Sequence, residues 1–279
     1  MALLGRRNTL PILREAPPGL YLDGGSHGEI LLPRRYLPAN AAPGVKLDVF
    51  IYRDSEDRLV ATTETPLAMV GQFASLRVAT LNPDIGAFLG WGLEKDLLLP
   101  LREQARPLRP HDWVVVYVTI DPKSDRIIAS ARLRRWLDLT PANYRLGEQV
   151  NLLIESETPL GYRAIVNHAH RGLLYRTELA SPLMLGESLP GYVRAIRPDG
   201  KIDLGLDPVG YRRIGPLTEQ IIDVLKQHGG AMPLHDGSSP EEIRAAFGMS
   251  KKAFKQAVGA LYREQRIELG ESGIRLPQK

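Results

Sequence analysis

The sequence contains no cysteine, which excludes disulfide bonds, thiolate nucleophiles and cysteine-ligated zinc sites. It has no run of 18 uninterrupted apolar residues, and its first residues lack the apolar segment of a signal peptide. A strong charge of one sign is also missing, since 36 basic and 32 acidic side chains leave a net charge of +4. We therefore expect a cytoplasmic protein with no membrane partner, which would contact any nucleic acid through local patches.

Signatures of common enzyme classes are absent as well. There is no glycine-rich phosphate loop and no strand–glycine–helix signature of a dinucleotide site. No nucleophile, base and orienting acid form a recognisable set. His168 and His170 are two residues apart without a third ligand nearby. The sequence predicts a protein that is not an enzyme and that binds no metal or cofactor.

What the chain does contain is a phrase that occurs twice. A glycine–apolar–aromatic–leucine segment at 19–22 leads into an apolar run at 30–32, and the same happens at 86–89 and 97–99. The two copies start 67 residues apart, and a weaker third copy begins at Gly161. Such a period in short alternating strands predicts a tandem array of small β-domains.

The last part of the chain has a different pattern. Thr218 is a candidate N-cap for a first helix, and Ser239 followed by proline and two acids begins a second. A third helix starts at Lys251 after a glycine turn, and two short strands follow between residues 267 and 276. Three helices and a hairpin predict a winged helix-turn-helix.

The predicted fold class is mostly β with a small α+β domain, consisting of three tandem OB-type five-stranded barrels followed by a winged helix. The predicted domains are a first barrel at 1–63, a second at 64–138, a third and divergent barrel at 143–208, and the winged helix at 213–279.

Aromatic side chains on the outer face of a barrel strand need a reason, because they do not fill the core. Such a ring can stack on a nucleic-acid base, which contributes ~1–3 kcal/mol of binding free energy per base, and an arginine on the same face can bind a phosphate. We predict two such pairs, Tyr21 with Arg58 and Phe88 with Arg126. The alternative is that both rings cover an apolar seam between neighbouring domains.

Trp91 and Lys95 lie in the predicted loop between the second and third strands of the second repeat. A tryptophan in a glycine-rich loop can stack on a base, with the lysine beside it. The alternative is that Trp91 packs against the adjoining domain.

These motifs resemble the RNA-binding repeat of ribosomal protein S1, an OB-type barrel. More closely, the phrase at 86–100, the turn at 54–58 and the pair Val70-Gly71 resemble the conserved virulence factor B (CvfB/YitL-like) family. Members of that family join three S1 repeats to a C-terminal winged helix. The resemblance implies a bacterial regulator that binds RNA and acts post-transcriptionally.

The resemblance also identifies family positions in the third repeat. At the position of the stacking aromatic in the second strand, the third repeat has Arg163, so this copy departs from the pattern. Tyr175 stands at the end of the third strand, where the first two repeats have proline. Arg197 and Lys201 replace the acid–base pair of the last turn, which leaves a face that favours phosphate.

The third helix of the winged domain carries the remaining candidates. Its polar face forms one basic stripe, whose side chains favour contacts with phosphates over contacts with base edges. The stripe consists of Lys252, Lys255, Gln256 and Arg263, and Lys251 stands at the start of the helix. The alternative is an ordinary solvated helix face.

The sequence thus predicts a regulator that holds single-stranded RNA through its barrels and its winged helix. One alternative is a transcription factor whose winged helix binds duplex DNA while the barrels mediate assembly. Another is a scaffold whose barrels bind proteins.

Overall fold

The computed structural model describes residues 2–39, 41–179, 181–207, 211–270 and 273–277, and only the backbone of 211–216. The chain forms two compact units, Met1–Leu137 and Asp138–Lys279. The first unit contains two closed five-stranded barrels, and the second contains a third barrel and a winged helix. The predicted fold class is confirmed.

The two barrels of the first unit share one topology. The first consists of β1 (Arg7–Ala16), β2 (Gly19–Asp23), β3 (Glu29–Pro33), β4 (Lys46–Arg53) and β5 (Leu59–Thr62). The second consists of β6 (Phe73–Asn82), β7 (Gly86–Gly90), β8 (Leu97–Pro100), β9 (Trp113–Asp121) and β10 (Arg126–Ser130). In each, the third and fifth strands pair in parallel and the other pairs are antiparallel.

The second unit repeats this barrel and adds the helices. The third barrel consists of β11 (Gln149–Thr158), β12 (Gly161–Val166), β13 (His170–Tyr175), β14 (Ser188–Ile196) and β15 (Ile202–Gly205). The winged helix consists of α1 (Tyr211–Gln227), β16 (Ala231–Met232), α2 (Pro240–Phe247), α3 (Lys251–Arg263), β17 (Glu268–Gly270) and β18 (Gly273–Arg275). The barrel strands lie inside the predicted domain limits, which themselves stay predictions; residues 1, 208 and 278–279 lie outside the described residues.

Each barrel closes because its first strand is long and bends at a bulge. The first half of β1 pairs with β4 and the second half with β2, and the register shifts between Ile12 and Arg14. The corresponding shifts lie between Val78 and Thr80 and between Ile154 and Ser156. A bulge increases the local bend and twist, so one strand can pair on both of its edges.

The glycine that opens each copy of the repeated phrase is required by a close approach of two strands. Gly19, Gly86 and Gly161 have φ values of 154°, 146° and 150°. A Cβ atom on these glycines would lie 2.0–2.2 Å from a carbonyl oxygen of the third strand. The repeat is therefore recognisable by glycine even where the aromatic has been lost.

The first two barrels share part of their apolar packing. In β4, Val49 and Ile51 fill the first barrel, whereas Phe50 and Tyr52 point the other way and are buried against the second. Trp91 is among the residues that cover them. A continuous apolar run in β4 thus packs on both faces of the strand.

Most of the predicted helix boundaries within the winged helix domain are confirmed. The Ser239 side chain accepts a hydrogen bond from the Glu242 amide, and α2 ends at Gly248 in a left-handed conformation. The predicted start of the first helix is wrong, because α1 begins at Tyr211 and Thr218 lies buried inside it. Thr218 is a favourable N-cap in sequence, but the backbone is already helical before it. Residues 271 and 272 of the predicted hairpin turn lie outside the described residues.

Candidate nucleic-acid interfaces

Four paired strands place four residues side by side on the outer face of each barrel, and we call this set the outer row. Its second member follows the glycine of the repeated phrase by two positions and points away from the core. The rows are Arg14, Tyr21, Leu31, Val60 in the first barrel; Thr80, Phe88, Leu98, Ile128 in the second; and Ser156, Arg163, Leu173, Asp203 in the third. The equivalent positions allow the three faces to be compared directly.

In the first barrel an arginine covers the aromatic ring. The guanidinium carbon of Arg14 lies 4.0 Å from the centre of the Tyr21 ring. Its Nε and Nη2 donate to the Glu29 carboxylate, with Nη2 at 2.6 Å from Oε2. The hydrogen bond from Arg14 holds the pKa of Glu29 below its ordinary value. The stacking face of Tyr21 is thus occupied by a side chain of the same barrel.

Arg58, the predicted partner of Tyr21, is held elsewhere. Its Nη2 lies 2.7 Å from a carboxylate oxygen of Asp54, and its Nη1 lies 2.7 Å from one of Glu56. The arginine beside Tyr21 is therefore Arg14, which sequence reasoning missed. Only the strand register with its bulge brings Arg14 opposite Tyr21.

In the second barrel the aromatic ring lines an open cavity of about 460 Å³. Phe88, Leu98 and Ile128 of the outer row form part of its apolar wall. The predicted partner Arg126 lines the same cavity, as do Lys95 and Arg102. Phe88 and Arg126 are therefore brought together as the sequence predicts, with Arg102 as an additional cation that sequence reasoning missed.

Trp91 requires a correction. Its ring is 3% exposed and meets Phe50 of the first barrel edge-on, with ring centres 5.8 Å apart. The indole N–H donates to the Lys95 carbonyl at 2.6 Å. No face of the ring is left for a base, so the alternative interpretation, packing against the adjoining barrel, accounts for this residue.

Lys95 connects the two barrels of the first unit. Its Nζ donates to the carbonyls of Arg53 at 3.1 Å and Asp54 at 2.7 Å. Burial, and secondarily the charge of Arg126, lower the pKa of Lys95 from its ordinary value. This lysine lines the cavity, but its ammonium group is anchored to the first barrel.

The last turns of the two barrels exchange arginine–aspartate pairs. Arg53 of the first barrel pairs with Asp125 of the second at 2.7 Å, and Arg126 of the second pairs with Asp57 of the first at 3.0 Å. Both aspartates have positive φ values, 68° for Asp57 and 53° for Asp125. This reciprocal exchange fixes Arg126 at the mouth of the cavity while more than half of its side chain stays exposed.

The third barrel presents a different outer row. Arg163 is exposed, and no hydrogen bond or ion pair joins it to another described residue. Arg197 donates through Nε to Asp203 at 2.9 Å and also contacts the Tyr175 hydroxyl. Arg163 therefore remains available, whereas Arg197 and Tyr175 are already tied to an acid.

Lys201 is less free than the sequence indicates. Its Nζ lies 2.6 Å from a carboxylate oxygen of Asp199, although most of the side chain is exposed. The basic character of this turn is partly neutralised by its own aspartate.

A groove of about 720 Å³ lies between α3 and the third barrel, both within the second unit. The α3 side chains Lys251, Lys252, Lys255 and Gln256 form one wall. The other lining cations are Arg176, from the 3-10 helix Arg176–Glu178 after β13, and Arg244 of α2. Arg176 is far from α3 in sequence and Arg244 lies on the preceding helix, so the pattern of α3 alone does not indicate either of them.

Each lysine of the groove has a partner within the second unit. Lys252 pairs with Glu178 of the third barrel, and the Lys255 ammonium lies 3.6 Å from an Asp236 oxygen. Lys251 reaches a backbone carbonyl at 3.4 Å. About half of the side chains of Lys252 and Lys255 are exposed, so their charge still faces the groove.

Arg263 does not take part in this groove. It lies at the other end of α3, where its Nε donates to the Gly259 carbonyl at 3.0 Å. Arg163, Arg197 and Lys201 are also absent from the groove lining. Apart from Arg263, the predicted residues of the second unit therefore fall into two groups. One consists of Arg163, Tyr175, Arg197 and Lys201 of the third barrel, and the other consists of the α3 residues that line the groove.

Within the described ranges, no three His, Asp or Glu side chains come together to hold a metal ion. His170 is instead hydrogen-bonded to the Tyr144 hydroxyl at 2.9 Å and to the Thr140 carbonyl at 3.2 Å. None of the helices in the described part of the chain has the length and apolar character that a membrane span needs.

Comparison with known families assigns two of the domains. Residues 4–64 match the S1 domain family, and residues 219–276 match the CvfB-like winged helix domain family. The chain thus combines an S1 domain with a CvfB-like winged helix domain, which confirms the resemblance seen in the sequence. S1 and winged helix domains support nucleic-acid binding, and neither family is an enzyme family.

Similar proteins are found in bacteria. YitL of Bacillus subtilis (strain 168) is 29% identical over 275 residues, covering 94% of this chain and 90% of the relative. Conserved virulence factor B of Staphylococcus saprophyticus is 24% identical over 243 residues, covering 85% of this chain and 81% of the relative. A solved Streptococcus pneumoniae structure, described as a multidomain protein with nucleic acid binding domains, is 24% identical with a TM-score of 0.44 and covers 98% of both chains.

Proposed function

We propose that this protein is a non-catalytic RNA-binding regulator that holds single-stranded RNA and acts post-transcriptionally in the cytoplasm. The groove between α3 and the third barrel is the observation that carries the proposal. Among its lining residues, five cations stand against one acid, Glu241. Such a groove attracts a phosphate backbone without requiring a particular base sequence.

The position of α3 favours a single strand over a duplex. A recognition helix reads DNA by entering a major groove about 12 Å wide, which requires a freely accessible helix face. Here the basic face of α3 borders the third barrel, and Lys252 pairs with Glu178 of that barrel. A groove of about 720 Å³ accommodates a few nucleotides of an unpaired strand rather than a double helix.

The test is a titration of the full chain with single-stranded RNA and with duplex DNA of the same sequence, followed by fluorescence anisotropy at one fixed salt concentration. We expect the RNA to bind more tightly than the duplex at that salt concentration. Equal or tighter binding of the duplex would support the transcription-factor alternative. Binding of neither nucleic acid would contradict the proposal and favour the scaffold.

A further inference from the structure

The three outer rows differ in the residue that stands beside the aromatic position. In the first barrel Arg14 covers the Tyr21 ring at 4.0 Å and is fixed by Glu29. In the second barrel the residue paired with Phe88 is Thr80, whose short side chain cannot cover a ring. In the third barrel the aromatic itself is replaced by Arg163.

From these differences we propose that the second barrel alone presents an open stacking site, and that this site takes a single nucleotide. Its base would stack on Phe88, and its phosphate would lie at the rim formed by Arg102 and Arg126. The inference rests on the proposed function only in assuming that the barrels accept unpaired bases. It adds which barrel does so and how much of a strand it holds.

The apolar wall suits a base. Phe88 and Leu98 are only partly buried, and Ile85 is 48% exposed beside them, so a flat apolar surface faces the cavity. At about 460 Å³ the cavity lies in the range of small-molecule sites. A planar aromatic ring therefore has both a stacking partner and an enclosing wall.

The rim suits a phosphate. Arg102 uses Nη2 to reach Asp121 at 2.9 Å, and Arg126 uses Nε to reach Asp57 at 3.0 Å. A guanidinium group has five N–H donors, so both arginines keep donors for a second acceptor. The aspartates hold the guanidinium groups in place, and a phosphate can accept paired hydrogen bonds from them.

The first barrel limits the site to one nucleotide. Tyr52 and Arg53 of β4 line the cavity on that side, and Lys95 bridges to the Arg53 and Asp54 carbonyls. A strand that crosses an OB face needs an exit at both ends, because such faces usually hold several nucleotides. Because the first barrel borders the cavity on this side, the proposed site fits a free nucleotide or the terminal nucleotide of a strand.

The experiment uses the full chain and adenosine 5′-monophosphate, titrated by calorimetry. We expect one nucleotide per wild-type chain, and Phe88→Ala should weaken binding about 5- to 150-fold, the range of one lost base stack. Thr80→Arg should abolish nucleotide binding, because it recreates the covered site of the first barrel. Asp96 stands directly before the apolar run of the third strand, as Glu29 does in the first barrel, so an acid is present to hold the new arginine. Thr80 is exposed, so this change tests the site without disturbing the core.

The matched control is the opposite exchange. Arg14→Thr removes the cover from Tyr21 and should add a second, weaker nucleotide site to the chain. Thermal unfolding of each variant would show that the fold is retained. Unchanged nucleotide binding in Phe88→Ala or Thr80→Arg, with a retained fold, overturns the inference.

A second arm separates the two sources of the nucleotide and keeps the inference apart from the proposed function. A linear oligouridylate and its circularised form are titrated against wild type and Phe88→Ala. If Phe88→Ala loses affinity for the linear RNA but not for the circular RNA, the site binds a strand end. If the monophosphate binds and Phe88→Ala changes the affinity for neither RNA, the site binds a free nucleotide. Equal Phe88 dependence for both forms overturns the single-nucleotide site but leaves RNA binding by the protein intact. Absence of both monophosphate binding and any Phe88 effect also overturns it.

Discussion

At the scale of single residues, Glu103 shows how a buried charge is retained in the second barrel. It is 7% exposed and lies in the 3-10 helix after β8. Its carboxylate accepts a hydrogen bond from the Ser130 hydroxyl at 2.6 Å and another from Arg135. Burial alone would raise the pKa of Glu103, but these hydrogen bonds outweigh burial and hold the pKa below its ordinary value of 4.5. The carboxylate thus ties the end of β10 to the segment that follows it.

Glu103→Gln should therefore lower the free energy of unfolding at pH 7 by about 1–3 kcal/mol. Because the folded-state pKa is depressed, the stabilisation is complete above pH 4.5 and is lost as the pH falls through the folded pKa. The difference between wild type and variant should shrink accordingly in urea unfolding at pH 3.5. Glu56→Gln, at a side chain 68% exposed, is the control and should change little at either pH. A constant difference at both pH values would contradict this role of the charge.

Predictions about single residues succeeded where they depend on the alternation of side chains along one strand. They failed where they depend on contacts between strands or between barrels. The alternation in β2 and β7 places Tyr21 and Phe88 outside the core, as expected. The same alternation cannot show that Arg14 lies opposite Tyr21, because a bulge shifts the register there. Nor can it show that Trp91 is covered, because the covering residue Phe50 belongs to another barrel.

At the scale of elements, α3 combines a buried face with a basic face that borders the third barrel. Phe254, Ala257 and Leu261 lie in the core of the winged helix, so the lysines on the other side are directed outward. The helical period predicts this division and the start of α3 correctly. The sequence could not predict that the basic face borders Glu178 and Arg176, because this depends on the docking of a helix against a barrel.

If the basic face of α3 holds a phosphate backbone, Lys252→Ala with Lys255→Ala should weaken RNA binding and its dependence on salt. Two lost phosphate contacts should reduce the slope of log affinity against log salt by about 1.4 for a single strand. Anisotropy titrations at several salt concentrations measure this slope. Lys226→Ala in α1, at a side chain 62% exposed, is the matched control and should leave the slope unchanged. An unchanged slope in the double variant would remove α3 from the RNA path.

At the scale of the whole molecule, the chain is organised as two compact units rather than four independent domains. The first two barrels share apolar packing through Phe50, Tyr52 and Trp91 and exchange ion pairs between their last turns. In the second unit, Arg244 of α2 donates to the Leu179 carbonyl of the barrel segment at 3.2 Å. The number of barrels follows from the repeat in the sequence, whereas their grouping depends on these contacts.

This organisation predicts that the fragments 1–137 and 138–279 fold when expressed separately. Each retains complete barrels and its own apolar clusters, so each should unfold cooperatively. Circular dichroism melting of the two fragments measures this. A fragment covering 64–138 is the informative comparison, since it uncovers Trp91, and we expect it to melt at least 5 °C below fragment 1–137. Equal melting temperatures would show that the two barrels do not depend on each other.

The crossed aspartates of the two turns have a consequence for how this architecture can be altered. Because Asp57 pairs with Arg126 and Asp125 pairs with Arg53, each arginine loses an acidic partner when the neighbouring barrel is removed. Grafting the second barrel into an unrelated tandem protein would transfer its strands but not the orientation of its arginine. If the second barrel binds a nucleotide as we infer, both barrels contribute to its selectivity, and a protein in which the two barrels are separated should lose that selectivity.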